Sequence, residues 1–474
     1  MLGLAAVVRI AVAVAYRPAL FYGGDSSQYL KLALTGHPVT IGFERPSGYP
    51  LLIDVISAFG RDLAVLTTVQ HLAGLLTGIL VYLLLVRMDV PKWLSTVAAA
   101  IVLLDSYAIA LEQHVLAEAF FTLALVAGML LVLAQREPST IAIGAGGLLL
   151  GASATMRVAA LFAGPVWLLY VFWTRLGWRT VAAAGLGLAL PLIAYATWNA
   201  EKTGRFGLAG ADGWFLYARV AEIGGCTGAD VPAAGRILCE RTARDSREGA
   251  AFHLWSPEGS AHRAFGRLTG DPERKRRLNA IMREHALAII RDRPLSYARM
   301  VASDFLRYFE PGVESRYISD SALSLPASGA LMQLDPRVKR SFFPDLEPRV
   351  HEHAGLVRTY HRVLHTPRWL LGCLMVLVTF GLLLPVFTRG RLRMPHRREI
   401  LLLTGTSIAI LIGATATSEF VLRYLVPVAP LVLAGGVAAI VDLAWLLRRR
   451  AGGLRNAETP RAMRPSARRP LRLP

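Results

Sequence analysis

The sequence predicts an all-α polytopic membrane protein with about ten transmembrane helices and an extracytoplasmic, mainly helical insertion. Of its 474 residues, 54% are hydrophobic. The mean hydropathy of +0.44 is too high for a soluble domain of that size. Apolar runs long enough to cross a bilayer recur along the chain. The basic clusters between these runs all fall on one predicted side, in agreement with the positive-inside rule.

The charge distribution narrows the classes of partner. The formal net charge is +19, and the densest basic runs lie beside the predicted spans instead of on a soluble domain. This placement is typical of loops that face the cytoplasm and anionic lipid. We therefore predict a protein embedded in the lipid bilayer with no nucleic-acid partner.

Seven predicted spans form an N-terminal transmembrane module, residues 1–198, which contains the first outer loop. The first span, residues 2–20, is too long for the core of a signal peptide and lacks a convincing cleavage site. The next spans are predicted at residues 63–86, 93–111 and 116–134, as two short spans within 139–174, and at 180–197.

The rest of the chain divides into three parts. Residues 199–366 are polar and are predicted to form an extracytoplasmic soluble block. Within this block, helical spacing of apolar residues over 279–309, broken at Pro294, predicts two amphipathic helices. Residues 367–450 are predicted to form C-terminal transmembrane helices, and residues 451–474 a basic, disordered cytoplasmic tail. The C-terminal spans are predicted at 368–387, 400–416 and 424–447.

Two of the three cysteines lie in the polar block. An oxidising exterior would allow Cys226 and Cys239 to pair, which would close a loop of about a dozen residues and contribute roughly 3 kcal/mol in the chain-entropy model. The alternative is two free thiols. Cys373 lies within a predicted span and is expected to be free.

The first outer loop carries two motifs, YGGDSSQY at residues 22–29 and RPSGYP at residues 45–50. Asp25 follows the first span at the point where the chain must leave the hydrocarbon. The neighbouring glycines and serines predict a loop or short cap, with Ser26 and Ser27 capping a helix over residues 28–35. Asp25 could act as a base for a substrate held at the surface, or it could only cap a helix.

Ionisable residues near membrane depth are costly to place, so each is a candidate functional residue. The predicted topology brings acids and arginines from five different connections into one outer layer. The members of this layer are Asp25, Glu44, Arg45, Glu112, His114, Glu118, Arg157, Glu419 and Arg423.

Glu118 opens the predicted fourth span, four residues after His114. On a helix this spacing would place both side chains on one face. His114 could instead be a solvated residue at the interface. Glu118 could be a first-turn acid favoured by the helix dipole, but that effect is worth less than about 1 kcal/mol.

Arg157 and Arg423 suit a phosphate group, because a guanidinium offers a fixed bidentate fork with weak hydration. The alternative for both is that they extend to the interface to remain solvated. The sequence contains no glycine-rich nucleotide cradle and no metal motif of diagnostic spacing. A donor that carries a phosphate at the interface and a lipid chain in the bilayer therefore fits better than a nucleotide sugar.

These motifs resemble those of the GT-C superfamily of membrane glycosyltransferases, especially the bacterial branch akin to protein mannosyltransferases and aminoarabinose transferases. The resemblance covers the whole membrane part, whereas the polar block matches only in placement. The matching elements are GDSSQY (24–29), RPSGYP (45–50), LAEAFF (116–121), TMR (155–157) and RYLVP (423–427).

The resemblance implies a GT-C-like fold in the cell membrane and transfer from a polyprenyl-phosphate sugar on the extracytoplasmic side. The acceptor could be a glycan, a lipid, a protein or a small molecule. The expected site residues are Asp25 as base, Glu118 as second acid, Arg157, Arg423 and Tyr424 at the donor phosphate, and Tyr29, Arg45, Tyr49 and His114 as acceptor or loop support.

One departure from the family pattern concerns metal. Members often carry paired acids in the first loop, whereas Asp25 is followed here by a serine. No cofactor is predicted with certainty, and a divalent metal ion is the one that we leave open.

The expected reaction is a single displacement that inverts the anomeric centre, with Asp25 taking the acceptor proton. The alternative is a multi-pass transporter or a flippase of lipid-linked sugars, which would use similar charges within the membrane. Such proteins usually show internal repeats, and none is evident in this sequence.

Overall fold

The computed structural model describes residues 1–35, 39–133, 138–174, 177–226, 228–240, 248–266, 271–314, 323–389 and 392–458. These residues are mainly α-helical, as the hydropathy pattern predicts. The N-terminal part contains α1 Leu2–Ala15, α2 Gly23–Leu34, α3 Gly48–Ser57, α4 Leu63–Arg87, α5 Lys92–Leu103, α6 Ser106–Gln113, α7 Glu118–Leu133, α8 Thr140–Met156, a 3-10 helix Val158–Phe162, α9 Ala163–Thr174 and α10 Trp178–Thr203.

The polar block is also helical. Its predicted pair of amphipathic helices is confirmed as α14 and α15, separated at Arg293 before Pro294. The helices of the block are α11 Asp212–Ala221, a 3-10 helix Ala233–Leu238, α12 Ala250–Trp255, α13 Ser260–Phe265, α14 Pro272–Asp292, α15 Pro294–Arg307, a 3-10 helix Gly329–Met332, α16 Pro336–Phe342 and α17 Ala354–Val363.

The C-terminal part consists of three long helices. They are α18 Arg368–Phe387, α19 Arg397–Thr417 and α20 Ala429–Glu458, with 3-10 helices Leu422–Tyr424 and Val426–Val428 before the last. Helix α20 continues to Glu458, into the segment that the sequence predicts as a disordered tail. The rest of that predicted tail, residues 459–474, lies outside the described residues.

The chain is a multi-pass membrane protein. Within the described ranges, five segments are long and apolar enough to cross a bilayer, and the bent pair α5–α6 would make a sixth. The predicted ten spans are therefore not confirmed. The five segments are Leu63–Arg87, Trp178–Thr203, Ala354–Phe387, Arg397–Thr417 and Leu422–Arg449, and shorter apolar helices occupy the other predicted positions.

The predicted first span, residues 2–20, is longer than the helix that forms. Helix α1 ends at Ala15, and the next two residues form strand β1, Tyr16–Arg17, which pairs antiparallel with β2, Arg349–Val350. The backbone N–H of His351 also donates to the carbonyl oxygen of Ala15 at 2.9 Å. Pairing with the polar block therefore takes over the backbone groups that a longer helix would have satisfied.

The polar block has its own hydrophobic core, which includes Trp214, Tyr217, Met282 and Ile289. Helices α11 and α14 pack directly against each other across it. Cys226 and Cys239 are joined by a disulfide with a Cα–Cα distance of 5.4 Å. Cys373 lies exposed on α18.

Candidate active site

The first outer loop is helical earlier than the sequence predicts. Helix α2 begins at Gly23, whose φ of +42° suits a residue without a side chain, so the prediction that Ser26 and Ser27 cap a helix starting at residue 28 is wrong. Ser26 Oγ instead accepts a hydrogen bond from the N–H of Tyr22 at 2.8 Å and donates to the carbonyl of Val115 at 3.0 Å. Asp25 consequently lies in the first turn of α2, where the helix dipole favours an acid.

Asp25 is buried between two arginines. Its Oδ1 lies 2.5 Å from Arg45 Nη2, and its Oδ2 accepts from Arg423 Nη2 at 3.0 Å. Burial alone would raise the pKa of Asp25, but the charges of Arg45 and Arg423 outweigh it and hold the pKa below its ordinary value. The carboxylate is therefore ionised at neutral pH.

Glu118, at the start of α7, forms a second buried acid in contact with the same arginine. Its Oε1 pairs with Arg157 Nη1 and lies 3.3 Å from Arg423 Nε. Arg423 therefore bridges the two carboxylates. Among the described residues, neither Glu118 Oε2 nor Arg423 Nη1 has a hydrogen-bond partner, so both atoms keep unused hydrogen-bonding capacity.

Two tyrosine rings enclose the arginines. The guanidinium carbon of Arg423 lies 4.5 Å from the ring centroid of Tyr22 and 5.6 Å from that of Tyr424. That of Arg157 lies 4.8 Å from the Tyr424 ring. Such cation–π contacts hold the guanidinium planes while leaving their N–H groups free to bind.

Arg45 is oriented by Gln28, a residue that the sequence did not single out. Gln28 Oε1 accepts from Arg45 Nε at 3.1 Å, and Gln28 Nε2 donates to Glu44 Oε2 at 3.4 Å. The signal was available, because Gln28 follows Asp25 by three residues and so shares its face of α2.

Tyr29 and Tyr49 lie behind the acids. Their ring centroids are 5.0 Å apart in an edge-to-face arrangement. The Tyr49 hydroxyl donates to Gln70 Oε1 at 2.6 Å, and Gln70 Nε2 donates to the carbonyls of Glu112 and His114 at 2.7 and 2.8 Å. The two tyrosines thus connect the first loop to the segment that precedes Glu118.

Two expectations for His114 are wrong. The residue is fully buried instead of solvated, and it does not share a helix with Glu118, because α6 ends at Gln113 and α7 begins at Glu118. A parallel bridge with Leu20 interrupts the helix, since Leu20 donates to the carbonyl of Gln113 and accepts from the N–H of Val115. His114 Nδ1 lies 2.7 Å from the carbonyl of Ala110.

Glu112 is separated from the pair of acids by its own partners. Arg9 donates to both of its carboxylate oxygens at 2.8 Å, and His71 Nδ1 lies 2.8 Å from Oε2. All three side chains are buried. Glu112 therefore joins α1, α4 and α6, and it lines neither the cavity that contains Asp25 in its wall nor the one that contains Arg157. The sequence analysis did not predict the role of Arg9.

The glycine of RPSGYP explains how the first loop approaches Arg157. A side chain at Gly48 would come within 2.4 Å of Thr155 Oγ1. Only glycine allows the start of α3 to pack against the end of α8 at this distance. The two motifs that carry Arg45 and Arg157 are therefore in direct backbone contact.

Two cavities meet at these residues. The larger, about 940 Å³, includes Asp25, Arg423 and Lys275 in its lining, together with Leu254 and Trp255 of the polar block. The smaller, about 210 Å³, is lined mainly by apolar side chains and includes Arg157. Both include Glu44, Arg45, Phe215, Ser418 and Tyr424 in their walls.

The acids do not form a suitable site for a divalent cation. Both oxygens of Asp25 are engaged by arginines, and Arg157 and Arg423 lie against Glu118. Three guanidinium groups around two carboxylates repel a further cation. In the part of the chain that the structure describes, one group of three potential ligands, His351, Glu352 and His353, has its ligand atoms within 4.8 Å. It is exposed and lines neither cavity.

Comparison with known families gives one match. Residues 11–197 match the family model of dolichyl-phosphate-mannose-protein mannosyltransferase. The resemblance to protein mannosyltransferases is therefore confirmed over this part of the chain, which contains Asp25, Glu118 and Arg157. A comparison with curated proteins gave no match.

Solved structures similar to this chain include an oligosaccharyltransferase and ArnT. The oligosaccharyltransferase of Archaeoglobus fulgidus in its apo form aligns over 98% of this chain and 52% of its own, with 13% identity and a TM-score of 0.39. This chain thus spans about half the length of that protein. ArnT from Cupriavidus metallidurans bound to undecaprenyl phosphate aligns over 96% of this chain and 80% of its own, with 14% identity and a TM-score of 0.32.

Proposed function

We propose that the chain is a membrane glycosyltransferase that moves a sugar from a polyprenyl-phosphate donor to an acceptor on the extracytoplasmic side, with inversion. The observation that carries this proposal is the bridge of Arg423 between Asp25 and Glu118 beside two adjoining cavities. The larger cavity includes Asp25 and Arg423 in its wall, and the smaller one is mainly apolar. The match of residues 11–197 to a family named for a lipid-phosphate mannose donor supports it.

In this proposal the smaller cavity receives the donor. Its apolar walls, which include Phe121, Met156 and Ile410, suit a prenyl chain. Arg157 lines the same cavity, and Arg423, whose Nη1 is unpartnered among the described residues, lines the adjoining larger cavity. Together they can bind the donor phosphate through charge-assisted hydrogen bonds.

The larger cavity then receives the acceptor. Asp25 lies in its wall, so an acceptor hydroxyl there can reach the carboxylate. A carboxylate offers about four lone-pair sites, and Arg45 and Arg423 occupy one on each oxygen. Room for a further hydrogen bond therefore remains.

The reaction step is a displacement at the anomeric carbon. The acceptor oxygen forms a bond to that carbon, the bond from carbon to the phosphate oxygen breaks, and the electron pair leaves on the polyprenyl phosphate. Asp25 receives the hydroxyl proton, and the arginines stabilise the charge that grows on the phosphate. The side chains of Tyr29, Tyr49 and His114 act in this proposal only by supporting the loop.

Arg157→Gln is expected to weaken binding of polyprenyl phosphate by about tenfold or more, because a charge-assisted hydrogen bond is worth roughly 1.5–3 kcal/mol. The test is transfer of a radiolabelled sugar from polyprenyl-phosphate donors to an envelope extract, alongside binding of polyprenyl phosphate in detergent. Arg179→Gln is the matched control, since Arg179 is exposed and lines neither cavity. Movement of the intact donor across vesicles without transfer would instead favour a flippase.

The proposed orientation places the polar block, residues 199–366, outside the cytoplasm. In protein isolated from its native membrane, Cys226 and Cys239 are expected to be oxidised and Cys373 free, because disulfides persist on the oxidising side. Intact-mass analysis after alkylation without reduction should then show one modified cysteine. Three modified cysteines would contradict this orientation.

A further inference from the structure

The polar block holds the end of α19 and the short connection from there to Arg423. The Tyr297 hydroxyl donates to the carbonyl of Ala416 at 2.7 Å, and Asp304 Oδ2 accepts from the N–H of Phe420 at 3.3 Å. The Phe420 ring packs edge-to-face on Tyr308 with centroids 5.0 Å apart. Three residues further along the chain is Arg423, which bridges the two acids. The block therefore determines the path of the backbone that carries this arginine.

Glu419 makes a further contact of this kind, and the catalytic proposal does not use it. The side chain is buried, and its Oε2 accepts from the N–H of Ala251 at 3.2 Å. That N–H belongs to the first turn of α12, whose other end contributes Leu254 and Trp255 to the wall of the larger cavity. One hydrogen bond thus connects the segment that precedes Arg423, residues 418–422, to a wall of the larger cavity, where the proposal places the acceptor.

The charges around Glu419 disfavour a third anion. Arg219 of α11, Glu222 just after α11 and Asp304 of α15 face it, and Asp304 is also paired with Arg307 at 3.3 Å. Arg219 is already paired with Glu222 Oε1 at 2.6 Å and with Asp304 Oδ2 at 2.7 Å. Glu419 Oε1 is buried and has no hydrogen-bond partner among the described residues. The pocket therefore accommodates a neutral carboxyl group better than a carboxylate.

We propose that Glu419 is a positioning residue that holds Arg423 against Asp25 and Glu118, and that its neutral form holds the loop more firmly than its ionised form. The inference rests on the proposed function for the role of Arg423. It extends that function because it assigns the polar block a role in positioning Arg423 at the donor phosphate.

The protonation of Glu419 falls in the physiological range. Burial, assisted by the charges of Glu222 and Asp304, raises its pKa to about 7 against the opposing effects of the Ala251 hydrogen bond and Arg219. Because the pKa of Glu419 is higher in the docked loop than in a free glutamate, protonation stabilises the docked loop. This stabilisation is complete at a pH below the ordinary pKa of a glutamate. This stabilisation decreases as the pH rises from there to about 7 and changes little above it.

Hydrogen exchange of the peptide that contains residues 418–424 tests the inference at about pH 5, 6 and 8. Glu419→Gln mimics the neutral acid and keeps an acceptor for the Ala251 N–H. The exchange rate of the wild type relative to this variant is expected to rise severalfold between about pH 5 and 7 and then to level off. Glu419→Ala should exchange faster than either at every pH. Glu310→Gln, an exposed acid that follows α15, should match the wild type.

Polyprenyl-phosphate binding is measured on the same samples. Binding by the wild type, relative to binding by Glu419→Gln, should weaken between about pH 5 and 7. A purely structural role of Glu419 would not produce this change in relative binding. Equal exchange of wild type and Glu419→Gln at every pH, or Glu419→Gln resembling Glu419→Ala, would overturn the inference. If the exchange difference is present but no sugar is transferred by the wild type, the proposed function fails and the loop contact stands.

Discussion

Asp25→Asn is expected to lower the rate of sugar transfer by roughly 10²–10⁴-fold, the usual contribution of a general base. Asparagine keeps the size of the side chain, and its amide oxygen can still accept a hydrogen bond from one of the two arginines, Arg45 or Arg423, but it cannot take up a proton. Arg157 and Arg423 remain, so binding of polyprenyl phosphate should persist. Turnover and donor binding measured on the same preparation separate the two effects.

The pH dependence adds a second criterion for Asp25. The pKa of Asp25 in the folded protein is held below its ordinary value. The stability that its ion pairs contribute is therefore fully present at a pH above the pKa of Asp25 in the unfolded chain, and it is lost as the pH falls through the lower pKa of the folded protein. Transfer should therefore show no titration of Asp25 near neutral pH. Asp230→Asn, a change at an exposed loop acid, is the matched control. Full turnover by Asp25→Asn would move the role of base to Glu118.

Arg423→Ala is expected to reduce both stability and donor binding. The change removes the contacts of Arg423 with Asp25 and Glu118, each of which keeps one arginine, Arg45 or Arg157. Loss of a hydrogen bond to a charged group costs roughly 1.5–3 kcal/mol. Loss of the phosphate contact should weaken binding of polyprenyl phosphate by a further 1.5–3 kcal/mol or so, about tenfold to a hundredfold. Thermal unfolding in detergent and a lipid-binding assay measure the two losses.

A second substitution distinguishes charge from geometry at the same position. Arg423→Lys keeps the positive charge between the acids but loses the planar fork, so most of the stability should return while donor binding stays weak. Arg449→Ala, on an exposed arginine of α20, should change neither. Unchanged donor binding in folded Arg423→Ala would remove Arg423 from the phosphate site.

The sequence predicted which charged residues lie in one layer better than it predicted which contacts each of them makes. Asp25 and Arg423 are 398 positions apart, yet the alternation of spans placed both in one layer, where the structure brings them into contact. Topology is a long-range consequence of hydropathy and charge, so it can be predicted from one sequence. The roles of the residues in this layer remain proposals.

Partners at short range were harder to predict, because they depend on where helices stop. A helical spacing between His114 and Glu118 suggested a shared face, but a backbone bridge to Leu20 ends the helix between them. Glu112 belongs to the same predicted layer as the other acids, but in the folded protein Arg9 and His71 contact its oxygens. The contributions of Trp255 and Lys275 to the cavity depend on packing of the polar block, for which the sequence carries no recognisable motif.

The shared wall of the two cavities has a kinetic consequence. Donor and acceptor would enter from different sides of Arg45 and Tyr424, so neither has to leave before the other binds. An enzyme built this way passes through a ternary complex, and it has no need to store the sugar on one of its own side chains between two half-reactions. The spent lipid carrier and the glycosylated product can likewise depart in either order.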